Sequence, residues 1–383
     1  MRVFVHVALE LTNFLRPVAK NDGGILDGAV RSSSAALSSR RFAKRRLLVA
    51  ETARHLPLSL RSETAMQTAT FTLGMPDGVV LFVYRWLPDK PVQAVVQIAH
   101  GWAEHAGRYA RVAHALCREG YAVYANDHRG HGNTAIIPSD VGFFSDRDGW
   151  NACVADVWRL HQHIAAHHPG APIVMFGHSM GSFMTQQFIS EHGDALAGAV
   201  LSGSNGAPPA SAGVGLGLAR LERLRVGPRG KSPLLNRLVF GAFNKPFEPA
   251  RTPFDWLSRD PDEVDRYIAD PLCGRFESTV QLYIDILGAL PDVAKPSRQA
   301  HIPKKLPIYI FGGGHDPVGS NIGQLLDAYR AADLEDVKHR FYPGGRHESL
   351  NESNRDEVTR DLIGWLNSVV ARATTSSVSA PVR

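Results

Sequence analysis

Residues 172–183 read Pro172-Ile173-Val174-Met175-Phe176-Gly177-His178-Ser179-Met180-Gly181-Ser182-Phe183. A short apolar run enters a Gly-x-Ser-x-Gly pentapeptide and leaves it in a stretch of helical character, 183–189. A strand, a sharp turn and a helix in that order present a serine hydroxyl at the end of a sheet. Such a turn needs small neighbours, because a Cβ on either flanking glycine, Gly177 or Gly181, would collide with the strand or the helix. Ser179 is therefore the expected nucleophile. The pentapeptide alone recurs by chance, so the reading depends on whether the chain also supplies an acid, a base and an oxyanion hole.

Working outward from this turn, β-branched and apolar runs at 70–73, 79–86, 94–99, 122–126, 173–176, 198–202, 308–312 and 339–342 read as strands. Helical stretches at 108–119, 150–167, 179–192, 322–332 and 355–372 alternate with them, the signature of an α/β fold with a mostly parallel eight-stranded sheet flanked by helices. Residues 206–301 break the alternation. They hold amphipathic stretches at 214–224, 234–243, 262–268 and 279–290 and no convincing strand. An ordinary connection runs to ~2–6 residues, so this interval reads as an inserted helical cap. The expected organisation is an extension at 1–65, core at 66–205 and 302–373, the cap at 206–301 and a small polar tail at 374–383, expected to be disordered.

The 383 residues are 44 % hydrophobic and 21 % charged, enough for one large core. The net charge of +5 is unevenly placed. Residues 1–65 carry 11 Lys and Arg against 5 Asp and Glu, leaving 31 against 32 for the rest. A near-neutral body lacks the basic excess that phosphate binding demands, which excludes nucleic acid as its partner. The extension is rich in Arg and Ser, which suits an organelle transit segment; it equally suits a disordered tail or sequence upstream of a start at Met66. Cys117, Cys153 and Cys273 are odd in number and widely spaced, so neither disulfides nor zinc is indicated, and a reducing, cytoplasmic setting fits. No run approaches the ~18 apolar residues of a membrane span.

A serine hydroxyl is a weak nucleophile until a histidine takes its proton and a carboxylate fixes that histidine's tautomer. In sheets of this kind the acid and then the base follow the serine. The run Pro307-Ile308-Tyr309-Ile310-Phe311 leads into Gly312-Gly313-Gly314-His315-Asp316, which puts Asp316 just past a strand end as the expected acid. His347, in Gly344-Gly345-Arg346-His347-Glu348 after the last strand, is the expected base. Asp292 and Asp127 compete for the acid's role, though Asp127 reads as a turn-former; His315 lies on the wrong side of the acid to be the base. Oxyanion donors are expected from the amides of Met180 and of Trp102, the latter in the loop opened by His100 and Gly101. His163 and His167 at i, i+4 lack a third ligand and read as a solvated helix end, so no metal or organic cofactor is expected.

Four motifs in this order, His100-Gly101-Trp102-Ala103-Glu104-His105-Ala106-Gly107-Arg108-Tyr109, Asp127-His128-Arg129-Gly130-His131-Gly132, Gly177–Ser182 and Arg346-His347-Glu348, resemble the monoacylglycerol lipase and lysophospholipase branch of the α/β-hydrolases. That branch is also labelled serine aminopeptidase-like. The resemblance covers about 67–370 and implies the α/β-hydrolase fold, a Ser–Asp–His esterase for single-chain acyl esters, and a helical lid. The implied partner is a small acyl ester, with room for transient contact between the cap and a membrane surface; oligomeric state is not legible. A proline-type aminopeptidase or amidase would need acidic cap groups, for which 260–265 is the candidate. That run is also a helix start, with Asp260 as N-cap, Pro261 in the first helical position and Glu263 three residues after the cap. A non-catalytic ligand-binding homologue is the third reading. Leu282, Ile286 and Leu290 form an apolar stripe that suits core packing first and an acyl channel second.

Overall fold

The computed structural model describes residues 66–209 and 212–378; the expectations for 1–65 and 379–383 lie outside them. The core elements run β1 (Gln67–Gly74), β2 (Val80–Leu87), β3 (Ala94–Ala99), α1 (Ala110–Arg118), β4 (Tyr121–Asn126), α2 (Gly149–His167), β5 (Ile173–His178), α3 (Met180–His192) and β6 (Gly198–Ser202). The chain then leaves the sheet for α4 (Ala212–Val226), α5 (Pro233–Phe240), α6 (Pro261–Ala269) and α7 (Val280–Val293). The short α8 (Pro296–Gln299) leads back to β7 (Ile308–Gly313), then α9 (Ile322–Ala331), β8 (Val337–Tyr342) and α10 (Arg355–Val378).

The eight strands lie in the order β1-β2-β4-β3-β5-β6-β7-β8, with β2 antiparallel to both of its neighbours and every other pair parallel. β3 has β4 on one side and β5 on the other, so the chain reverses its direction of travel there. Ligands of open α/β sheets sit at such a switch point, beyond the carboxyl ends of the strands. Register brings the relevant loops together at that edge. Ala99 pairs with Gly177, His178 with Ser202, and Gly313 with Tyr342, so the loops after β3, β5, β7 and β8 leave the sheet side by side.

Side chains alternate across each strand and divide the core into two layers. Val96, Ile98, Val123 and Phe176 pack against α1 and α10 through Leu116, Leu362, Trp365 and Leu366. Val95, Ala122 and Tyr124 face Leu160 and Ile164 of α2, while Leu201, Ile308 and Ile310 face Leu325 and Tyr329 of α9. Burial of each such aliphatic or aromatic side chain contributes about 1.5–3 kcal/mol. α7 is the keystone between the insertion and the sheet. Its Leu282, Ile286 and Val293 join Trp150 and Val154 of α2 and Met180 and Met184 of α3 in one cluster.

The sequence reading places the elements correctly and misses several ends. β1 extends three residues earlier than expected. The described residues of the 206–301 interval form helices joined by turns and loops, with no strand beyond an isolated bridge between Lys231 and Thr279. α10 runs to Val378, into the stretch assigned to a disordered tail, because small residues such as Ala373 do not stop a helix already anchored by its apolar face.

Candidate active site

Ser179 stands between β5 and α3 at φ 51°, ψ −119°. A residue bearing a Cβ pays about 1–3 kcal/mol to sit in so sparsely populated a region. Neighbouring hydrogen bonds hold it there. Its amide donates to the Ser202 carbonyl (2.9 Å), and its carbonyl accepts from Ser182 N (2.8 Å), Phe183 N (3.3 Å) and Ser182 Oγ (2.6 Å). A Cβ on Gly177 would strike the Gly181 carbonyl and the Thr185 hydroxyl, and one on Gly181 would strike the Ala99 and His100 carbonyls. Both glycines are thus required by the turn itself.

Asp316 follows β7 and His347 follows β8. His347 Nδ1 lies 2.9 Å from Asp316 Oδ1 and 3.0 Å from Oδ2, and Oδ1 also accepts from Val318 N at 2.9 Å. Gly313 lets the two loops meet, since a Cβ there would strike the carbonyls of Gly345 and Arg346. The His347 ring is flanked by His178 and Trp256, with centroids 4.8 and 5.0 Å away. Burial pushes the His347 pKa down, but the Asp316 carboxylate, followed by Glu348 and Glu104, outweighs it and holds the pKa above its ordinary 6.5. With Nδ1 on Asp316, Nε2 is on the far side of the ring, and His347 and Ser179 line one cavity. No hydrogen bond joins these two side chains among the described residues; serine–histidine contacts commonly tighten only when substrate arrives.

The loop after β3 is braced from three sides. His100 is buried; its Nε2 accepts from His128 N (2.9 Å), so its Nδ1 carries the proton and donates to the Gly101 carbonyl (2.8 Å). Gly101 packs so close that a Cβ would stand 3.1 Å from Ser179 Cβ. Its amide donates to Glu104 Oε1 at 2.5 Å. The Ala103 carbonyl accepts from Tyr267 Oη at 2.9 Å. By contrast, the amides of Trp102 and Met180 donate to no acceptor among the described residues. They are backbone donors left over beside the serine.

The competing residues are accounted for elsewhere. Asp127 accepts from Ala106 N and Asn133 N, both at 2.7 Å, and burial pushes its pKa up to about 6. Asp292 pairs with Lys295 and Arg298, and His315 is exposed. His163 and His167 stack on each other, and His163 also stacks on Phe71. His105, Asp270 and Cys273 bring metal-type donor atoms within 4.8 Å of one another. His105 Nε2 already bonds Asp270 Oδ2 at 3.0 Å, and burial pushes the Cys273 thiol up, so these contacts need no ion. The three cysteines are buried and unpaired.

The sequence reading assigned no role to Glu104, Arg108, His178, Glu348 or Trp256, which surround the His347 ring and the loop after β3. Four of them lie within the quoted motifs, but their convergence is a property of the loops' spacing. Glu104, His178, Glu348 and Trp256 border a cavity with a volume of about 810 Å³. Phe183, Val239, Phe240, Phe243, Ile286 and Leu290 supply apolar wall, so the α7 stripe serves both packing and cavity.

An eight-stranded sheet of this order, with a strained serine turn between β5 and α3, defines the class as an α/β-hydrolase. The chain belongs to the family described as serine aminopeptidase, S33, whose model matches residues 90–354. It is 31 % identical to the monoacylglycerol lipase of Mycolicibacterium smegmatis over 297 residues, 76 % of this chain and 94 % of the relative. It is 29 % identical to human monoglyceride lipase, covering 79 % and 91 % of the two chains. Among solved structures, a thermostable carboxyl esterase from Bacillus coagulans in complex with glycerol superposes with a TM-score of 0.73 at 27 % identity, over 80 % of this chain and 100 % of that one. The chain is accordingly a lipase- or esterase-type hydrolase of the monoglyceride lipase branch. No described helix is long and apolar enough to cross a membrane.

Proposed function

We propose that the protein is a serine carboxylester hydrolase for single-chain acyl esters of the monoacylglycerol or lysophospholipid type. Ser179 Oγ attacks the acyl carbonyl while His347 Nε2 accepts its proton and then delivers it to the leaving alcohol. Asp316 keeps Nδ1 protonated and aimed. The amides of Trp102 and Met180 receive the oxyanion. A water, activated by the same imidazole, then attacks the acyl-enzyme and releases the acid. The helical insertion at 206–301 acts as the cap that supplies most of the apolar wall.

The observation that carries this reading is the convergence, at one end of an apolar cavity, of a strained serine, a carboxylate-anchored histidine and two unclaimed amides. Exposed Val214, Leu221 and Leu224 on α4 suit transient contact with lipid. Ser179→Ala should remove turnover of a p-nitrophenyl acyl ester and labelling by a fluorophosphonate probe without loss of fold; undiminished turnover would refute the assignment. Relative rates on monoacylglycerols, lysophospholipids and short esters then rank the substrates.

The peptidase alternative has less support. Asp260 caps α6 and pairs with Arg355, Glu263 pairs with Arg111 and Arg266, and Asp265 pairs with Arg251. None of these lines the cavity. The buried carboxylates that do, Glu104 and Glu348, are both held by Arg108. Proline p-nitroanilide is expected to be a poor substrate, and fluorophosphonate labelling separates the enzyme from a ligand-binding homologue.

A further inference from the structure

Arg108 lies between two carboxylates; both glutamates are buried and Arg108 nearly so, with 11 % of Arg108, 4 % of Glu104 and 7 % of Glu348 exposed. Arg108 Nη1 donates to Glu104 Oε2 (2.7 Å) and to Glu348 Oε1 (2.6 Å), and Nη2 donates to Glu348 Oε2 (2.7 Å). Tyr267 closes over the guanidinium, its ring centroid 5.0 Å away. Desolvating three ions costs several kcal/mol for each, and well-packed apolar residues would be as stabilising. Stability is therefore a poor explanation for the cluster.

Its two ends give a better one. The second oxygen of Glu104 accepts from the amide of Gly101, the residue before Trp102, and from Tyr109 Oη at 2.8 Å. Glu348 is the chain neighbour of His347, and its own amide donates to the Leu257 carbonyl at 2.8 Å. One guanidinium thus ties the loop with the proposed oxyanion donor to the loop with the proposed base, across 240 residues of sequence. Two carboxylates against one guanidinium also leave a surplus negative charge beside the imidazole.

We propose that Arg108, Glu104 and Glu348 form a positioning strut: they hold the oxyanion loop at a set distance from the base, and their surplus charge stabilises the imidazolium that forms at His347. This rests on the assignment of Ser179 and His347 above. None of the three touches the reacting atoms in that mechanism; they act through Trp102 and His347. The charged and titratable groups that face His347 are Asp316 from the loop after β7, His178 from β5, Glu104 from the loop after β3, and Glu348 on its own loop. Its other chain neighbour, Arg346, is turned to the carbonyls of Asp255 and Ser258.

The charge role gives opposite signs for two substitutions, which a merely structural cluster does not. The test is the pH profile of kcat/KM on a soluble p-nitrophenyl ester, whose acid limb reports the ionisation of His347. Glu348→Gln removes negative charge, so the limb should move to lower pH by about 0.5–1 unit, with a lower plateau. Arg108→Gln removes positive charge, so the limb should move to higher pH by a similar amount. Glu348→Asp keeps the charge and breaks the two-pronged pairing, so the plateau should fall while the limb stays. Limbs that do not move, or that move the same way in both Gln variants, overturn the proposal. If Arg108→Gln does not fold by circular dichroism, the contrast between Glu348→Gln and Glu348→Asp decides alone. Absence of ester hydrolysis in the wild type would instead overturn the proposed function, an outcome distinct from normal wild-type turnover with unmoved limbs.

Discussion

His347 Nδ1 sits almost equally far from both carboxylate oxygens of Asp316, 2.9 and 3.0 Å, with each side chain 3 % exposed. An N–H shared between two oxygens of an ionised carboxylate is a charge-assisted contact, stronger than a neutral hydrogen bond and more restrictive of the ring's plane. That contact decides which nitrogen of His347 is basic. It also makes the imidazole easier to protonate than burial alone would allow.

Asp316→Asn tests the orienting role. An amide can present N–H to Nδ1 and so favour the wrong tautomer, leaving Nε2 protonated and unable to accept from Ser179. We expect kcat on a p-nitrophenyl ester to fall by about 10³–10⁴ with an unchanged circular dichroism spectrum. A fall of less than tenfold would mean that another group orients the base.

The pH dependence has a definite sign. In the proposed mechanism His347 must be neutral to accept a proton, and its pKa is raised above 6.5. The rate kcat/KM should therefore rise with pH through a limb centred above 6.5. Stability runs the other way: the folded imidazole holds its proton more tightly than the unfolded one, so the His347–Asp316 contribution is complete below about 6.5 and is lost as pH rises through the folded value. A limb at or below 6.5 in wild-type profiles would contradict this, as would an unchanged slope of Tm against pH in Asp316→Asn.

Two glycines should respond in opposite directions to the same change. Gly181→Ala drives a Cβ into the carbonyls of Ala99 and His100, which belong to β3 and the loop after it and have no side-chain freedom with which to yield. We expect a loss of at least ~2 kcal/mol in urea unfolding, and a larger loss of activity than of stability. Gly364, exposed on α10 with open space around its missing Cβ, should gain about 0.5–1 kcal/mol as alanine. Equal responses would show that the turn tolerates a side chain.

Much of the architecture was legible because it follows from local periodicity. The runs that became β3, β4, β5, β6 and β7 are apolar on both faces, as strands covered by helices must be. β1 and β8 were seen only in part. They are the sheet's edges, where Thr70, Thr72, Lys338 and Arg340 meet solvent and the hydrophobic signal fades. α10 was read short because small and hydroxyl residues at its end carry no apolar stripe.

The proposed site residues Ser179, with its glycines, Asp316 and His347 were legible as candidates in the chain alone, because each sits where a strand stops and the backbone must turn. The sequence by itself thus determined the class of fold, the order of the strands' loops and the chemistry that each loop could offer. Only the tertiary structure decided how those loops are held. Glu104 and Glu348 lie 244 residues apart and meet on one guanidinium, and Trp256 from the helical insertion lies beside His347, where its carbonyl accepts from the His347 amide. Hydrogen-bond partners and local dielectric depend on distances through space, and no periodicity along the chain encodes them.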